Sequence, residues 1–178
     1  MDPQWDCLIR AQRGEMSAWG TLVEGTQSRL LALALLLTGS RAAAEDVVQE
    51  TFSRALNANL KNTSGTVLGF LSTIAYRLAL KDASRAKRHV DADSLELAEP
   101  KSNPLEEVLL VERDRAVSRA ISELQPTHRD VLVMRFYGGH SYDEIATELG
   151  IPTGTVKSRM FHAVRACREA LRRAGVIQ

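Results

Sequence analysis

Apolar residues recur at intervals of three and four along most of the chain, and runs of β-branched residues are short. This spacing is typical of α-helices with one buried face and gives almost no signal for strands. Ser17 and Ser40 stand where helix N-caps are expected, and the turn-rich segment Asn57–Thr66 predicts a loop. The pattern predicts helices over residues 7–13, 17–39, 41–57, 67–89, 108–124 and 126–137.

The stretch SYDEIATELGIPTGTVKSRMFHAVRACREALRR, from Ser141 to Arg173, divides at Gly150. Ser141 is followed three residues later by Glu144, a spacing at which the two residues cap a helix N-terminus together. Gly150 stands where a helix ends in a left-handed residue. Two helices joined by a tight glycine turn form a helix-turn-helix, which we place at about residues 142–161, with its second helix running on to Arg173.

The second helix of this motif has two different faces. One is an apolar stripe of Val156, Met160, Ala163, Cys167 and Leu171. The other carries polar, basic and aromatic residues, namely Lys157, Ser158, Phe161, His162, Arg165, Arg168 and Arg172. A basic face can be merely solvated, but an aromatic ring gains little in water, whereas Phe161 in a major groove can contact a thymine methyl group. The pattern therefore predicts a DNA-recognition helix.

Charge is nearly balanced over the 178 residues, at +1, but it is segregated along the chain. A basic run contains Arg77, Lys81, Arg85, Lys87 and Arg88. An acidic stretch without helical periodicity follows it, and such a stretch predicts a flexible linker between separate surfaces. We therefore expect an all-α chain of two small helical domains, residues 1–90 and 105–178, joined by a flexible acidic linker over residues 91–104.

Several kinds of site are not indicated. The two cysteines are far apart, and the four histidines (His89, His128, His140 and His162) form no metal-binding pair, so we expect neither a metal nor a cofactor. The longest apolar run, Leu30–Leu37, is shorter than the ~20 residues that cross a bilayer. The N-terminus has no signal-peptide core, and we expect a reducing, cytoplasmic setting.

Three stretches resemble the bacterial RNA polymerase sigma factors, specifically the extracytoplasmic-function (ECF) subfamily. They are AEDVVQETFSRAL (44–56), GFLSTIAYRLALKDASRAKRH (69–89) and ISELQPTHRDVLVMRFYGGHSYDEIATELGIPTGTVKSRMFHA (121–163). Together they span most of the chain, and GTVKSR within the third is highly specific. The chain departs from the family pattern at three positions, since the family commonly has Trp near Phe70, Asn at Arg77 and Arg at His162.

The resemblance implies a role for each stretch. The first helix would bind the clamp coiled coil of the largest polymerase subunit through Asp46, Gln49, Glu50, Phe52 and Arg54. The loop and helix of the second stretch would bind the minus-ten element through Asn59, Lys61, Asn62, Thr63, Ser64, Arg77, Lys81 and Arg85. The recognition helix would bind the minus-thirty-five element through Thr155, Lys157, Ser158, Arg159, Phe161, His162 and Arg165.

The resemblance also implies partners and control. Core RNA polymerase and promoter DNA are the expected partners, and the linker would thread towards the RNA exit channel of the polymerase. An anti-sigma factor, often membrane-anchored in this family, is the expected regulator, so this cytoplasmic protein could be held at the inner membrane.

Two other classes of protein fit part of the chain. A free-standing helix-turn-helix repressor or activator would account for Ser141–Arg173 equally well, but it would not need the DVVQETF helix or a basic helix before an acidic linker. A helical enzyme or small-molecule sensor would need convergent polar groups in an apolar pocket, and the sequence offers no such cluster. We therefore expect no enzymatic activity and no small-molecule substrate.

Overall fold

The structure, a computed structural model, describes residues 2–60, 65–86 and 115–178, and of residues 83–86 the backbone alone. All regular elements within these ranges are α-helices, in agreement with the predicted fold class. They are α1 (Gln4–Gln12), α2 (Met16–Thr38), α3 (Arg41–Leu56), α4 (Val67–Ala86), α5 (described over 115–122), α6 (Pro126–Phe136), α7 (Tyr142–Leu149) and α8 (Thr153–Arg173).

The N-terminal unit is built from α1 to α4, with α2 packed against each of the other three. Its centre is a group of fully buried leucines, Leu8, Leu22, Leu30, Leu33 and Leu71. Burying one such side chain stabilises the fold by roughly 1.5–3 kcal/mol. The apolar residues spaced three and four apart, from which these helices were predicted, are thus the residues that form this core.

The C-terminal unit is built from α5 to α8, in which α6 and α7 both pack on α8. Val131, Met134, Ile145 and Val156 are fully buried between them. The apolar stripe predicted on α8 is the face turned towards this core, since Val156, Met160 and Ala163 are buried. The opposite face of α8 is therefore left to solvent.

Two predicted helix starts were wrong. α1 begins at Gln4 rather than Cys7, because the Asp2 carboxylate accepts the Gln4 backbone N–H at 3.0 Å and Trp5 is buried in the core. α2 begins at Met16 with Glu15 as its N-cap, so Ser17 lies inside the first turn and donates its hydroxyl to the Glu15 carboxylate at 2.9 Å.

Other predicted boundaries were confirmed. Ser40 caps α3, and its hydroxyl oxygen accepts the Ala43 backbone N–H at 3.4 Å. Gly150 ends α7 in the left-handed conformation, with a φ of 63°, and α8 then spans Thr153–Arg173. The predicted linker over 91–104 lies outside the described residues, and so do the last three residues predicted for α4.

The two units touch through α2 and α4 on one side and through α6, α7 and the turn between them on the other. The Tyr76 hydroxyl donates to the Asp130 carboxylate at 3.1 Å, and the Thr73 hydroxyl lies 3.0 Å from Nε2 of the buried His140. Nearby, the Arg29 guanidinium donates to the Phe136 carbonyl at 3.0 Å. Polar contacts thus join α2 and α4 of the N-terminal unit to α6 and the turn after it in the C-terminal unit.

Candidate nucleic-acid and polymerase interfaces

The outer face of α8 presents an aromatic ring among polar and basic side chains. Phe161 is 64% exposed, and Lys157, Ser158, His162 and Arg165 are exposed beside it. A large apolar ring at this exposure has lost little contact with water, so it remains available to a partner. This arrangement agrees with the face predicted for the recognition helix.

Local hydrogen bonds cap the start of α7 and join it to the start of α8. The Ser141 hydroxyl accepts the Glu144 N–H at 3.2 Å, and the Glu144 carboxylate accepts the Ser141 N–H at 2.7 Å. The backbone hydrogen bond from Ser141 lowers the pKa of Glu144 below its ordinary value. Thr153 then donates its hydroxyl to Asp143 at 2.9 Å, which ties the start of α8 to α7. The recognition helix is therefore presented on a fixed support.

Not every residue predicted for the minus-thirty-five element lies on this exposed face. Thr155 and Arg159 are half-buried. Arg159 approaches Asp130, whose pKa is raised by burial against the opposing effects of the Tyr76 hydroxyl and two arginines, Arg129 and Arg159. Arg159 thus faces the contact between the units rather than the groove-facing surface of α8.

Arg165 is available to a phosphate or a base edge at low cost. It donates to Glu169, one turn further along α8, at 3.0 Å, and both side chains are more than half exposed. An exposed pair of this kind contributes about 0–1 kcal/mol. DNA can therefore displace Glu169 with little penalty.

Sequence reasoning missed His128 as a residue of this surface. His128, in the first turn of α6, is half-buried, and its ring stacks on that of His162 with centroids 5.9 Å apart and planes 21° apart. The rings of Phe161 and His162 meet edge-on at 5.5 Å. No sequence pattern could have paired the two histidines, because the pairing depends on how α6 packs across α8.

The outer face of α3 is polar and exposed. Asp46, Gln49, Glu50 and Arg54 all lie on it, and Arg54 donates to Glu50 at 2.6 Å. A shallow groove runs between this face and α4, lined by Asp46, Val47, Glu50, Arg54, Leu78, Lys81 and Asp82. Such a surface offers charged contacts around a small apolar strip.

Phe52, predicted to share this docking surface, lies instead in the core. It is 7% exposed, and its ring meets the Trp19 ring edge-on at 5.3 Å. Its position one turn after Val48 places it on the buried stripe of α3. Phe52 therefore holds α3 against α2, and the little of it that is exposed lines the shallow groove between these helices beside Gln49.

The residues predicted for the minus-ten element are only partly described. Arg77 is exposed but donates two hydrogen bonds to Glu148 of α7, at 2.7 and 2.6 Å. Lys81 is exposed at the groove beside α3, and Asn59 is exposed at the end of its loop. The remaining predictions, the side chain of Arg85 and the residues Lys61, Asn62, Thr63 and Ser64, lie outside the described residues.

Comparison with known proteins identifies the family. The model of sigma-70 region 2 matches residues 22–89, and that of sigma-70, region 4 matches residues 114–167. The ECF RNA polymerase sigma factor SigL of Mycobacterium tuberculosis is 34% identical over 169 residues, which cover 93% of this chain and 96% of SigL. The chain belongs to the ECF sigma factors. The RNA polymerase sigma-H factor of Pseudomonas aeruginosa is 33% identical over 177 residues, covering 91% of this chain and 90% of that protein.

Two solved structures share the fold of this sigma factor. CnrH in complex with the cytosolic domain of CnrY superposes with a TM-score of 0.63 at 23% identity, covering 93% of this chain and 95% of CnrH. The sigma factor RpoE in complex with the anti-sigma factor NepR from Bartonella quintana gives 0.63 at 20% identity, covering 86% of this chain and 96% of RpoE. The likeness supports the arrangement of two helical domains.

The family assignment gives the helices their place in transcription. Sigma-70 region 2 includes α3 and α4, and region 4 includes the helix-turn-helix of α7 and α8. Sigma factors are non-catalytic initiation factors that direct RNA polymerase to promoters. Among the described residues of this sigma factor, we find no group of three or more His, Cys, Asp or Glu side chains able to hold a metal, and no helix long and apolar enough to span a membrane.

Proposed function

We propose that this sigma factor docks on core RNA polymerase through the outer face of α3 and selects promoters through the outer face of α8. The observation that carries the proposal is the exposed Phe161 and its basic neighbours on α8, a helix whose first residue, Thr153, is hydrogen-bonded to Asp143 of α7. Neither surface suits catalysis, and we propose that the chain has no enzymatic activity of its own.

The minus-thirty-five element would be bound by Lys157, Ser158, Phe161, His162 and Arg165. Their exposure on one face, opposite a buried stripe, supports this assignment. Phosphate contacts would set the position of the helix, and base-edge contacts would supply the selectivity. Thr155 and Arg159 are half-buried, so we assign them to the support of α8 rather than to DNA.

The clamp of the polymerase would be bound by Asp46, Gln49, Glu50 and Arg54. A polar, charged face suits a partner that must be released after initiation, since such contacts favour specificity and fast association over tight binding. Lys81 and Arg77, on the neighbouring helix, would then be close to an unpaired promoter strand and would contact its phosphates.

An anti-sigma factor is the proposed regulator. RpoE is solved with the anti-sigma factor NepR, and CnrH with the cytosolic domain of CnrY, and both share the fold of this chain. We propose that a comparable partner covers surfaces needed for polymerase binding. Since polymerase and promoter DNA lie in the cytoplasm, the sigma factor would act there, even when such a partner is anchored in the inner membrane.

The experiment that tests the proposal uses reconstituted holoenzyme. Arg165→Ala should weaken promoter selectivity by about 1–3 kcal/mol if it contacts a base, while core binding stays unchanged. Asp46→Ala with Gln49→Ala should reduce polymerase pull-down and leave the circular dichroism spectrum intact, because both residues are exposed. Glu24→Ala, exposed on α2, is the matched control. Unchanged selectivity and unchanged pull-down in these variants would remove both surfaces from the proposal.

A further inference from the structure

Two histidines from different helices meet at the exposed face of α8. His162 is exposed on the recognition helix, and His128 reaches it from the first turn of α6. The centroid distance of 5.9 Å and interplanar angle of 21° describe an offset stack of the two imidazoles. Offset stacking is a favoured arrangement of planar rings. The residues predicted to bind DNA include His162 but not His128, so the contact between the two rings lies outside that prediction.

We propose that His128 is a positioning residue for promoter recognition, whose ring holds the His162 imidazole in the orientation that meets a base of the minus-thirty-five element. The inference rests on the proposed function, in which the outer face of α8 binds that element. His128 acts through His162 and makes no contact with the base itself.

Orientation decides what an imidazole can recognise. Its two nitrogens differ, since in the neutral ring one donates a hydrogen bond and the other accepts one. Base edges in the major groove also differ in their order of donors and acceptors. A ring free to rotate would match several edges and would lose rotational freedom on binding, whereas a ring fixed beforehand avoids that entropic penalty. The stack therefore affects base preference as well as affinity.

The packing of α6 does not depend on His128. Val131 and Met134 of the same helix are fully buried, and they anchor it in the core of the C-terminal unit. His128 is only half-buried, on the side of α6 that faces the outer surface of α8. A purely structural role would accordingly be carried by the buried residues, and removal of the His128 ring should leave the fold intact.

The test compares His128→Ala, His128→Phe, His162→Ala and the double alanine variant as holoenzymes, on promoters randomised across the minus-thirty-five element. His128→Ala should relax preference at the same base position as His162→Ala, by about two- to tenfold, and leave other positions unchanged. Combining the two substitutions should add nothing to His162→Ala alone. His128→Phe keeps a planar ring and should restore the preference. Thr127→Ala, exposed beside His128, is the control.

The outcomes separate this inference from the function on which it rests. If Lys157→Ala and Arg165→Ala change selectivity while His128→Ala does not, the positioning role is wrong and the proposed function stands. Failure of His128→Phe to restore the preference, or equal changes at every base position, would also overturn the positioning role. A wild-type holoenzyme with no preference across this element would overturn both. Thermal unfolding of each variant confirms that the fold is retained.

Discussion

Arg77 of α4 and Glu148 of α7 form a two-point salt bridge between the two helical units. The Arg77 Nε and Nη2 atoms lie 2.7 and 2.6 Å from the two carboxylate oxygens of Glu148. The Glu148 side chain is 12% exposed and that of Arg77 is 68% exposed. Arg77 is also a residue predicted to bind the minus-ten element. The salt bridge occupies two of the five N–H donors of its guanidinium and offsets its charge, so a phosphate would have to share Arg77 with Glu148. We therefore expect the contact between the units to weaken any phosphate contact that Arg77 makes.

Weakening this salt bridge should favour separation of the units. Glu148→Gln keeps the size of the side chain and removes its charge. Because Arg77 is exposed and only Glu148 is largely buried, the contact between the units should lose about 1 kcal/mol, the upper end of the range for exposed pairs. Small-angle X-ray scattering of the free protein should then show a larger radius of gyration for Glu148→Gln than for wild type. Glu45→Gln is the control, because its partner Arg41 lies in the same helix. Identical scattering from wild type and Glu148→Gln would mean that this bridge does not hold the units together.

The cap of α7 should make stability depend on pH. The lowered pKa of Glu144 means that its ionised form stabilises the folded chain above the ordinary value of 4.5, and that this stabilisation is lost as the pH falls through the folded value. Glu144→Gln keeps an acceptor for the Ser141 N–H, since Gln also serves at this position of a capping box, and removes only the negative charge near the helix N-terminus. It should therefore cost about 0.3–1 kcal/mol at neutral pH. The difference from wild type should vanish in acid, where both side chains are uncharged.

Chemical denaturation across the acid-to-neutral range measures this difference directly. Ser141→Ala removes the other half of the cap but no titrating group, so its loss of unfolding free energy relative to wild type should persist in acid. If the free energy of unfolding of Glu144→Gln differed from wild type by the same amount at every pH, the charge of Glu144 would not contribute to stability.

Two glycines flanking the turn should respond oppositely to alanine. A Cβ would meet no atom within 4 Å at either Gly150 or Gly154, so steric room does not distinguish them. Gly150 has a φ of 63°, a left-handed conformation that costs a residue with a Cβ about 1–2 kcal/mol. Gly154 lies within the ordinary helix of α8, where alanine is favoured by roughly 0.5–1 kcal/mol. Thermal unfolding should show Gly150→Ala destabilised and Gly154→Ala stabilised; the same sign for both would contradict this account of the turn.

The sequence predicted helix caps and boundaries most successfully where the interactions that determine them are local. The helix-turn-helix depends on Ser141, Glu144 and Gly150, which act on their own turn of backbone, and its caps and boundaries were confirmed. The start of α2 was predicted wrongly because Ser17 satisfied the same local rule as a cap, while Glu15 occupies the position. Cap preferences overlap among residues, so neighbouring candidates can compete.

Contacts between helices could not be predicted in this way. The pairing of Arg77 with Glu148 and of His128 with His162 depends on packing across distant parts of the chain. Phe52 shows a related ambiguity within one helix, since the resemblance assigned it to a partner whereas the helical period placed it on the buried stripe of α3. Burial decides between those roles, and it is fixed by the neighbouring helix α2.

We expect this chain to select and open promoters only as part of RNA polymerase. A single recognition helix buries little DNA surface compared with a dimeric regulator that binds two half-sites. The minus-ten surface, moreover, requires an unpaired strand. The most direct measurement is an electrophoretic mobility shift combined with permanganate footprinting of promoter DNA, with and without core polymerase. We expect sequence-specific binding and strand opening to appear together and only in the holoenzyme. Tight, specific binding to intact duplex by the protein alone, unchanged by core polymerase, would contradict the account and indicate a free-standing helix-turn-helix regulator.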